Sequence, residues 1–402
     1  MNTRWFRVAC WVLAAGVAGA GPLAVDRARA DGYQLVLIPP LDPEYPTTYA
    51  YGINNQGVVV GSSFVRIDEN DVPAHTFAYF HSTGALLDLG TLPDQQPGER
   101  AVGSCGYDIN DSDMVVGWSQ YSGTYYMFSH AYRVPAIAGA AMQSLGTLEG
   151  PWSGASAINN AGVIVGTSTA SDNRIRAYRW TESQGMVELP GWSPNRTDAF
   201  GINNLGAIVG ARTVPIDPNT GYFRAVLWPA DGSEPVDLGT LGGQSSSARA
   251  INDAGVIVGD SQIAGNAYSH AFRKVGDGLL EDLGSLDPEG SSYALAVNAA
   301  GQIVGWNSVR APGGELHYVN HASLWQDGQW IDLHETFFPT WASSMATGIN
   351  DAGWIVGYGL TGDYPGAPTR AWILIPEPAT LGLLLVGGLL AVKGSTRRQK
   401  GL

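Results

Sequence analysis

The sequence predicts an all-β fold, a seven-bladed β-propeller formed by residues 31–375 of the 402-residue chain. Three observations support this prediction. A short phrase recurs seven times at intervals of about 49 residues, a period that suits a four-stranded blade. Gly is abundant (53 residues), 45% of residues are apolar and only 14% are charged, as expected for a turn-rich β protein. One surplus strand at the start matches a strand missing at the end.

Each copy of the phrase begins with a strand that ends in Ile or Val followed by Asn. The seven asparagines are Asn54, Asn110, Asn159, Asn203, Asn252, Asn298 and Asn350. A turn such as Asn159-Asn160-Ala161-Gly162 follows, in which Gly takes a left-handed conformation that closes a hairpin. Asp113 replaces this Gly in the second copy, and Asp tolerates the same conformation better than most residues. The pattern therefore predicts a hairpin at every copy.

The second strand of each copy is β-branched and ends in a glycine at a fixed position, which indicates close backbone approach or a bend. These glycines are Gly61, Gly117, Gly166, Gly210, Gly259, Gly305 and Gly357.

The third strand begins with a cationic or donor residue, and a fourth strand with an Asp-Leu-Gly phrase closes most copies. The third-strand residues are His75, His130, Arg176, Arg224, His270, His321 and Arg370. Because Arg is not a usual metal ligand, a metal role shared by all blades is excluded. We expect structural pairing with the fourth-strand Asp or with backbone, the alternative being a functional ring of histidines.

The seventh copy stops after Ile375 and has no fourth strand, whereas residues 33–38 form a strand that precedes the first copy. If the early strand completes the last blade, the ring closes without a free edge. The alternative is an open solenoid, which would leave the surplus strand unexplained.

The Ile-Asn, His-Ala-Phe and Asp-Leu-Gly phrases together resemble the extracellular HAF repeat family, over nearly all of residues 33–375. The resemblance implies a bacterial secreted or cell-surface protein.

Residues 1–30 have the features of a secretory signal peptide. Arg4 and Arg7 form a charged start, a short apolar run follows, and Ala28-Arg29-Ala30 is an A-x-A cleavage site. Cys10 would leave with this segment, so the mature chain would keep Cys105 alone and no intramolecular disulfide could form. We expect Cys105 to be a packed or half-exposed thiol.

The other end, residues 376–402, combines three parts in order. Pro376-Glu377-Pro378 precedes an apolar run over residues 379–392, and a basic cluster of Lys393, Arg397, Arg398 and Lys400 follows. Positive charge after an apolar run holds that end on the cytoplasmic side of a membrane. The tail resembles the PEP-CTERM sorting signal of bacterial exosortase substrates. That resemblance implies a short transmembrane helix, a transient membrane anchor and an exosortase-type membrane protease as partner; a permanent anchor is the alternative.

Charge argues against a nucleic-acid partner. The chain carries a formal net charge of −14, and since residues 1–30 and 376–402 each contribute +3, the body carries −20. Such a surface repels polyanions.

No catalytic phrase is present, and we predict neither catalytic residues nor a cofactor. His334-Glu335-Thr336-Phe337-Phe338 lacks the second histidine of a zinc helix, and no phosphate loop or Gly-x-Ser-x-Gly occurs. Two acidic loops, Asp68-Glu69-Asn70-Asp71 and Asp217-Pro218-Asn219, are weak calcium candidates because they lack the oxygen spacing of a calcium hand. Solvated loop polarity is the simpler interpretation.

The connections after the second and fourth strands are long, variable and rich in aromatic residues, and both emerge on one face of an up-and-down blade. Exposed Trp beside carboxylates suits stacking on sugar rings; packing of the loops onto the blades is the alternative. The candidate ligand-binding residues are Trp118, Trp152, Trp192, Trp306 and Trp341. We therefore predict a non-enzymatic surface or matrix propeller that recognises an exopolysaccharide, another glycan or a surface protein. The alternative is a propeller hydrolase or lyase that uses carboxylates at the channel mouth.

Overall fold

The computed structural model describes residues 29–30, 32–68, 71–93, 100–122, 127–191, 196–217, 220–311 and 318–377. The predicted signal peptide, apart from its last two residues, and the tail from Pro378 onward therefore lie outside the described residues. The described part is almost entirely β-structure, with one short helix, α1 (Leu333–Phe337). No helix among these residues is long and apolar enough to cross a membrane.

The strands fall into antiparallel groups that follow the sequence repeat, and single parallel bridges, Ala74↔Gly103 and Trp152↔Ser129, join groups 1 to 3 into one twelve-stranded sheet. The chain begins with β1 (Arg29–Ala30) and β2 (Tyr33–Leu37). Group 1 contains β3 (Thr48–Ile53), β4 (Val58–Phe64), β5 (Ala74–Phe80) and β6 (Ala85–Gly90). Group 2 contains β7 (Arg100–Ile109), β8 (Met114–Ser122), β9 (Met127–Pro135) and β10 (Gln143–Ser144). Group 3 contains β11 (Glu149–Ile158), β12 (Ile164–Ala170), β13 (Ile175–Thr181) and β14 (Gly185–Glu188).

The next three groups repeat the same order of four strands. Group 4 contains β15 (Thr197–Ile202), β16 (Ile208–Asp217), β17 (Thr220–Trp228) and β18 (Val236–Gly239). Group 5 contains β19 (Gly242–Ile251), β20 (Ile257–Ile263), β21 (Ser269–Lys274) and β22 (Glu281–Asp282). Group 6 contains β23 (Ser292–Val297), β24 (Ile303–Arg310), β25 (Tyr318–Gln326) and β26 (Gln329–Asp332).

Group 7 takes its outer strand from the other end of the chain. It contains β27 (Ser343–Ile349), β28 (Ile355–Leu360) and β29 (Thr369–Pro376), and β2 pairs with β29 from Tyr33↔Pro376 to Leu37↔Trp372. The prediction that residues 33–38 complete the last repeat is confirmed at the level of strand pairing. Pro376 belongs to β29, so the sheet extends one residue past the predicted boundary at Ile375. Outside β2, the two-residue β1 pairs through Ala30↔Tyr33.

The predicted backbone conformations at the turn and at the fixed glycine are confirmed. Gly57 and its counterparts in five further copies have φ between 76° and 90°, and Asp113 takes the same position with φ 57°. At Gly61 a Cβ atom would collide with the carbonyl oxygen of Tyr49, and the six equivalent glycines face the same obstruction from the first strand. A β-bulge in the first strand, between Ala50 and Gly52 in group 1, brings the two backbones this close.

The hydrophobic core is divided among the junctions between groups. Each of the core clusters combines residues of two neighbouring groups. One cluster joins group 7 to group 1, where Val36, Ile38 and Ile373 pack with Val59 and Phe77. The first and last groups are therefore packed against each other by the same kind of contact as consecutive ones.

Candidate functional site

A pocket of about 240 Å³ lies at the centre of the molecule, where the turns between first and second strands converge. We call this end the Asn-turn face and the opposite end, with the long connections, the variable face. From each repeat the pocket takes three consecutive residues: the branched residue that ends the first strand, the repeated Asn, and the residue after it, such as Ile53, Asn54 and Asn55. Among the described residues, the central pocket is thus on the repeated face and not on the aromatic one.

The repeated asparagines form a closed circuit of hydrogen bonds. Each side-chain Nδ2 donates to the backbone carbonyl of the Asn in the next repeat at 2.9–3.1 Å, from Asn54 to Asn110 and onward until Asn350 donates to Asn54. Each Oδ1 accepts the backbone N–H four residues later, as Asn54 does from Val58 at 2.9 Å. All seven side chains are buried. One amide therefore closes its own hairpin and joins two groups.

The pocket rim is formed by the residue after each Asn. The rim residues are Asn55, Asp111, Asn160, Asn204, Asp253, Ala299 and Asp351. Six of their backbone N–H groups donate to the side-chain oxygen of the next rim residue, as Asn55 does to Asp111 at 2.9 Å; Asp253 is the exception, because Ala299 follows it and has no side-chain oxygen. Asn55 Nδ2 also lies 3.1 Å from an oxygen of Asp111 and 3.1 Å from an oxygen of Asp351. The rim combines amide donors with three carboxylates and contains no basic residue, so it suits a neutral or cationic polar group.

A second circuit joins the groups at the opposite end of the first strand. A buried Ser or Thr in each repeat accepts, at 2.8–3.0 Å, a third-strand backbone N–H of the preceding group; the acceptors are Thr48, Ser104, Ser153, Thr197, Ser246, Ser292 and Ser344. Thr48 accepts from Ala371 of group 7. In four repeats the hydroxyl also donates to the carbonyl of the Gly in the Asp-Leu-Gly phrase, as Ser104 does to Gly90 at 2.6 Å.

Aromatic side chains line part of the innermost strands, and the sequence prediction missed them. Tyr51 contacts Tyr107 at 5.3 Å and Tyr358 at 5.7 Å between ring centroids, and Tyr49 contacts Tyr358 at 5.0 Å. These side chains come from groups 7, 1 and 2. An alignment of the seven copies contains a signal for these side chains. In the first strand, the two positions on either side of the constant Ala or Gly, Tyr49 and Tyr51 in the first copy, vary from copy to copy, whereas the neighbouring positions do not.

Group 5 places charged residues, Arg249 and Asp260, at the positions that Tyr51 and Tyr358 occupy in groups 1 and 7. Arg249 Nε lies 3.0 Å from Asp260, and the guanidinium lies 4.8 Å from the centroid of the Phe200 ring. The first and second strands therefore present a tyrosine cluster in groups 7, 1 and 2 and an ion pair in group 5.

The five candidate tryptophans have different surroundings. Trp118 and Trp152 lie in strands β8 and β11 and not in loops, and both are half-buried. Trp306, in β24, stacks on Tyr293 with centroids 4.1 Å apart. Trp341 packs on Phe338 at 4.7 Å and against the core cluster between groups 6 and 7. Trp192 lies outside the described residues.

Trp118 and Trp152 both lie near Gly154. The Cβ of Trp118 and the ring carbon Cζ2 of Trp152 each lie 3.7 Å from the point that a Cβ of residue 154 would occupy. Five of the other six repeats have side chains larger than Ser here, among them Tyr49, Asp198 and Tyr293. The Cβ of Trp118 and the ring of Trp152 therefore lie on either side of a position at which this repeat has no side chain of its own.

The predicted pairing of third-strand cations with fourth-strand acids is confirmed in four repeats. The pairs are His75–Asp88, Arg176–Glu188, His270–Asp282 and His321–Asp332. It is wrong for Arg224, because Arg212 of the neighbouring strand occupies Asp237 at 2.7 Å. In group 7 the position opposite Trp372 is Leu37, so Arg370 faces no acid there, and burial lowers the pKa of Arg370.

Group 6 departs from the common pattern because α1 replaces the Gly of the Asp-Leu-Gly phrase. Asp332 caps α1, and Ser344 bonds to Nδ1 of His334 at 2.8 Å in place of the glycine carbonyl. His334 stacks on His321 at 4.1 Å. Burial, followed by the neighbouring His321, lowers the pKa of His334 to about 4. Burial alone would raise the pKa of Asp332, but the hydrogen bond from His321 holds it below its usual value.

Asp108 is an acid in the first strand of group 2, directly before the pocket residues Ile109 and Asn110. It occupies a position that is Gly or Ala in the other repeats, and its oxygens accept the backbone N–H groups of Ile109 and Ile158 at 2.9 Å. Burial raises the pKa of Asp108 to about 6 despite these two donors.

The calcium candidates are not assembled into a site by the described residues, where no group of three metal-ligating side chains occurs. Asp71 forms an ion pair with Arg100. Glu69, Asn70, Pro218 and Asn219 lie outside the described residues, as does the side chain of Asp217. Cys105 is buried.

The predicted sorting motif begins inside the sheet. Pro376 pairs with Tyr33, and the backbone N–H of Glu377 donates to the carbonyl of Gly32 at 2.7 Å. Pro378 lies outside the described residues. Pro376 and Glu377 are therefore hydrogen-bonded or paired to the start of β2 and to Gly32, the residue before it.

No protein-family model matches the chain, and no curated protein matches it. Among solved structures, the chain is similar to the β-propeller domain of the Trilobed protease from Pyrococcus furiosus, with a TM-score of 0.52 and 11% identity over 81% of this chain and 95% of that chain. It is also similar to TolB from Acinetobacter baumannii, with a TM-score of 0.41 and 12% identity over 79% of each chain. A third similar structure is AofleA from Arthrobotrys oligospora, with a TM-score of 0.38 and 10% identity over 87% of this chain and 94% of that chain. At such identities the likeness defines a fold, and the protein is all-β with a propeller fold.

Proposed function

We propose that the seven strand groups are the blades of one closed propeller, that this propeller is exported, and that it acts outside the cell as a non-enzymatic binding protein of the HAF repeat type. The closed hydrogen-bond circuits support the ring. The charged and apolar N-terminal segment supports export. Binding is favoured because two half-buried tryptophans, Trp118 and Trp152, lie near Gly154, where the repeat has no side chain to cover them.

The ligand class that fits this pair is a glycan. A pyranose ring presents apolar C–H faces that stack on indoles, and its hydroxyls bond to nearby backbone and side-chain groups. A neutral or weakly charged exopolysaccharide suits the acidic surface better than a polyanion does.

Glycan binding is tested with Trp118→Ala and Trp152→Ala in pull-downs with host exopolysaccharide and on glycan arrays. We expect each variant to lose roughly tenfold in affinity, the equivalent of about 1.4 kcal/mol. Tyr364→Ala is the matched control, because Tyr364 is an exposed aromatic residue on the variable face of another group. Unchanged binding in both Trp variants would contradict the glycan proposal.

An enzymatic role is the alternative, and one observation favours it. Asp111 and Asp351 both accept from the amide nitrogen of Asn55, so two carboxylates lie close together at the pocket mouth. Glycosidases use carboxylate pairs separated by roughly 5–10 Å. Asp111→Asn and Asp351→Asn would each abolish polysaccharide cleavage if this role is correct, and absence of cleavage by the unmodified protein would reject it.

We also propose that the tail is a sorting signal of the PEP-CTERM type. The apolar run over residues 379–392 and the basic cluster after it would hold the exported chain in the membrane until an exosortase-type protease cuts near Pro378. Intact-mass measurement of the protein released by its host tests this proposal. We expect a mature form that begins near Asp31 and ends near Pro378, and a mass that includes Lys393 to Leu402 would show a permanent anchor instead.

A further inference from the structure

The two ends of the described repeat region lie side by side. β2 runs antiparallel to β29, and the last pairs are Tyr33↔Pro376 and the bond from Glu377 to Gly32. The chain therefore enters and leaves this sheet at one place.

That place is on the Asn-turn face. Pro376 Cγ lies 3.5 Å from the point that a Cβ of Gly353 would occupy. Gly353 ends the turn that starts at Asn350, since its N–H donates to the Asn350 carbonyl at 3.0 Å, and Asn350 lines the central pocket. The direction of the strands gives the same result, because third strands run toward the Asn-turn face and Pro376 is the last residue of a third strand.

Very little chain separates this face from the apolar run. Glu377 is hydrogen-bonded to the sheet, and Pro378 alone stands between it and residue 379. A residue of extended chain spans at most about 3.6 Å. An apolar run inserted in a bilayer would therefore hold the Asn-turn face within roughly 10 Å of the lipid surface.

We propose that the Asn-turn face lies against the lipid bilayer while the tail is inserted, so that the central pocket faces the membrane and the variable face points away from it. This inference rests on the proposed membrane-held tail, which follows from the apolar run and its basic end. The residues at the tips of the seven turns are uncharged: Gln56, Ser112, Ala161, Leu205, Ala254, Ala300 and Ala352.

The uncharged turn tips suit zwitterionic lipid, whereas the connections between third and fourth strands on the same face carry exposed acids such as Glu182, Asp231 and Asp327. Leu205 is 68% exposed at a turn tip, where it can contact the headgroup region. The three rim carboxylates gain nothing from anionic lipid, and the rim supplies no cation to attract it. The tail, and not charge attraction, sets the position of the propeller.

The test uses the full chain with single fluorophores on the two faces. Leu205→Cys and Tyr364→Cys, in a Cys10→Ser background, are labelled with an environment-sensitive maleimide; Cys105 is buried and stays unmodified. Tyr364 is 61% exposed in the connection between β28 and β29 on the variable face. The variants are reconstituted in phosphatidylcholine vesicles that contain a lipid with a quencher on its headgroup. The quencher acts on contact, and the two faces are separated by a strand length of roughly 20 Å.

We expect loss of most of the fluorescence at position 205 and its retention at position 364. Equal quenching, or stronger quenching at 364, would overturn the orientation. Failure of the chain to float with the vesicles would instead reject the membrane-held tail, and the orientation with it. As a control, 20 Gly and Ser residues inserted between Glu377 and Pro378 add a flexible span of roughly 25 Å. Quenching at 205 should then fall, and unchanged quenching would show that the short connection does not set the orientation.

Discussion

At the scale of single residues, the repeated Asn has three roles at once. Its Oδ1 accepts a backbone N–H of its own turn, its Nδ2 joins the next group, and its backbone contributes to the pocket wall. Asp or Ser cannot replace it, because neither side chain offers both an amide donor and a carbonyl acceptor. The recurrence of Asn is therefore explained by the geometry of the junction.

Asn203→Ala tests this role. Asn203 donates to the carbonyl of Asn252 at 3.1 Å and is buried, so its removal leaves buried groups without partners and should cost about 1–3 kcal/mol of unfolding free energy. Asn204→Ala is the control, because the hydrogen bonds of Asn204 at the exposed rim are worth less. Urea denaturation measures both. A smaller loss for Asn203 than for Asn204 would mean that the circuit is not a source of stability.

His334 makes stability depend on pH. Its pKa is about 4 in the folded protein and about 6.5 in the unfolded chain, so the unfolded chain binds a proton first as pH falls. The contribution of neutral His334 is present above pH 6.5 and is lost between pH 6.5 and 4. Asp108 acts in the opposite direction, because its pKa is raised and its stabilising protonated form is lost as pH rises toward 6.

His334→Asn separates the two groups, because Asp108 titrates in both proteins and cancels in the comparison. Asn can accept the Ser344 hydroxyl but does not ionise. We expect the stability difference between the unmodified protein and the variant to shrink by about 1–2 kcal/mol from pH 7 to pH 4, allowing for partial solvent screening. Chemical denaturation at the two pH values measures it, and a constant difference would show that His334 is not the titrating group.

At the scale of elements, β2 does more than supply a hydrogen-bonded edge. Leu35 packs into the core cluster between groups 6 and 7, and Val36 and Ile38 pack into the cluster between groups 7 and 1. Successive side chains of a strand point to opposite faces, so one short strand contributes to both junctions. β1, in contrast, is two residues long and lies within the predicted signal peptide.

Truncation tests the role of β2. A chain that begins at Asp31 keeps β2, and we expect it to remain monomeric and stable. A chain that begins at Leu41 exposes the edge of β29 and should self-associate, because an unpaired edge recruits other strands. Light scattering after size exclusion, with a thermal melt, compares the two. Equal behaviour would mean that the last group does not need its N-terminal strand.

At the scale of the whole molecule, every junction is built from the same parts: one Asn bond, one hydroxyl bond and one hydrophobic cluster. The junction between groups 7 and 1 has all three, with Asn350 donating to Asn54, Ala371 donating to Thr48, and Val59 and Phe77 in the shared core. The closed ring proposed above would have no end at which unfolding starts more easily than elsewhere.

Thr48→Val and Thr197→Val compare the closing junction with an internal one. Each removes a buried hydroxyl that accepts a backbone N–H, at 2.8 and 2.9 Å respectively, and keeps the side-chain volume. We expect equal losses of about 1–3 kcal/mol in urea denaturation. A much smaller loss for Thr48→Val would show that groups 7 and 1 are not held together in solution.

The sequence by itself determined the repeat, its strands, its left-handed turn and the N-terminal strand that completes the last group. The turns and strands are local features, since φ at Gly57 or Asp113 depends on neighbouring residues. The role of the N-terminal strand follows from counting the strands of the seven copies. Only the tertiary structure decided which side chains meet across repeats. Arg212 takes the place of Arg224 at Asp237, Trp118 and Trp152 both lie near Gly154, and the central pocket opens on the Asn-turn face. Contacts between residues far apart in sequence depend on how the groups pack around one axis, which no single repeat encodes.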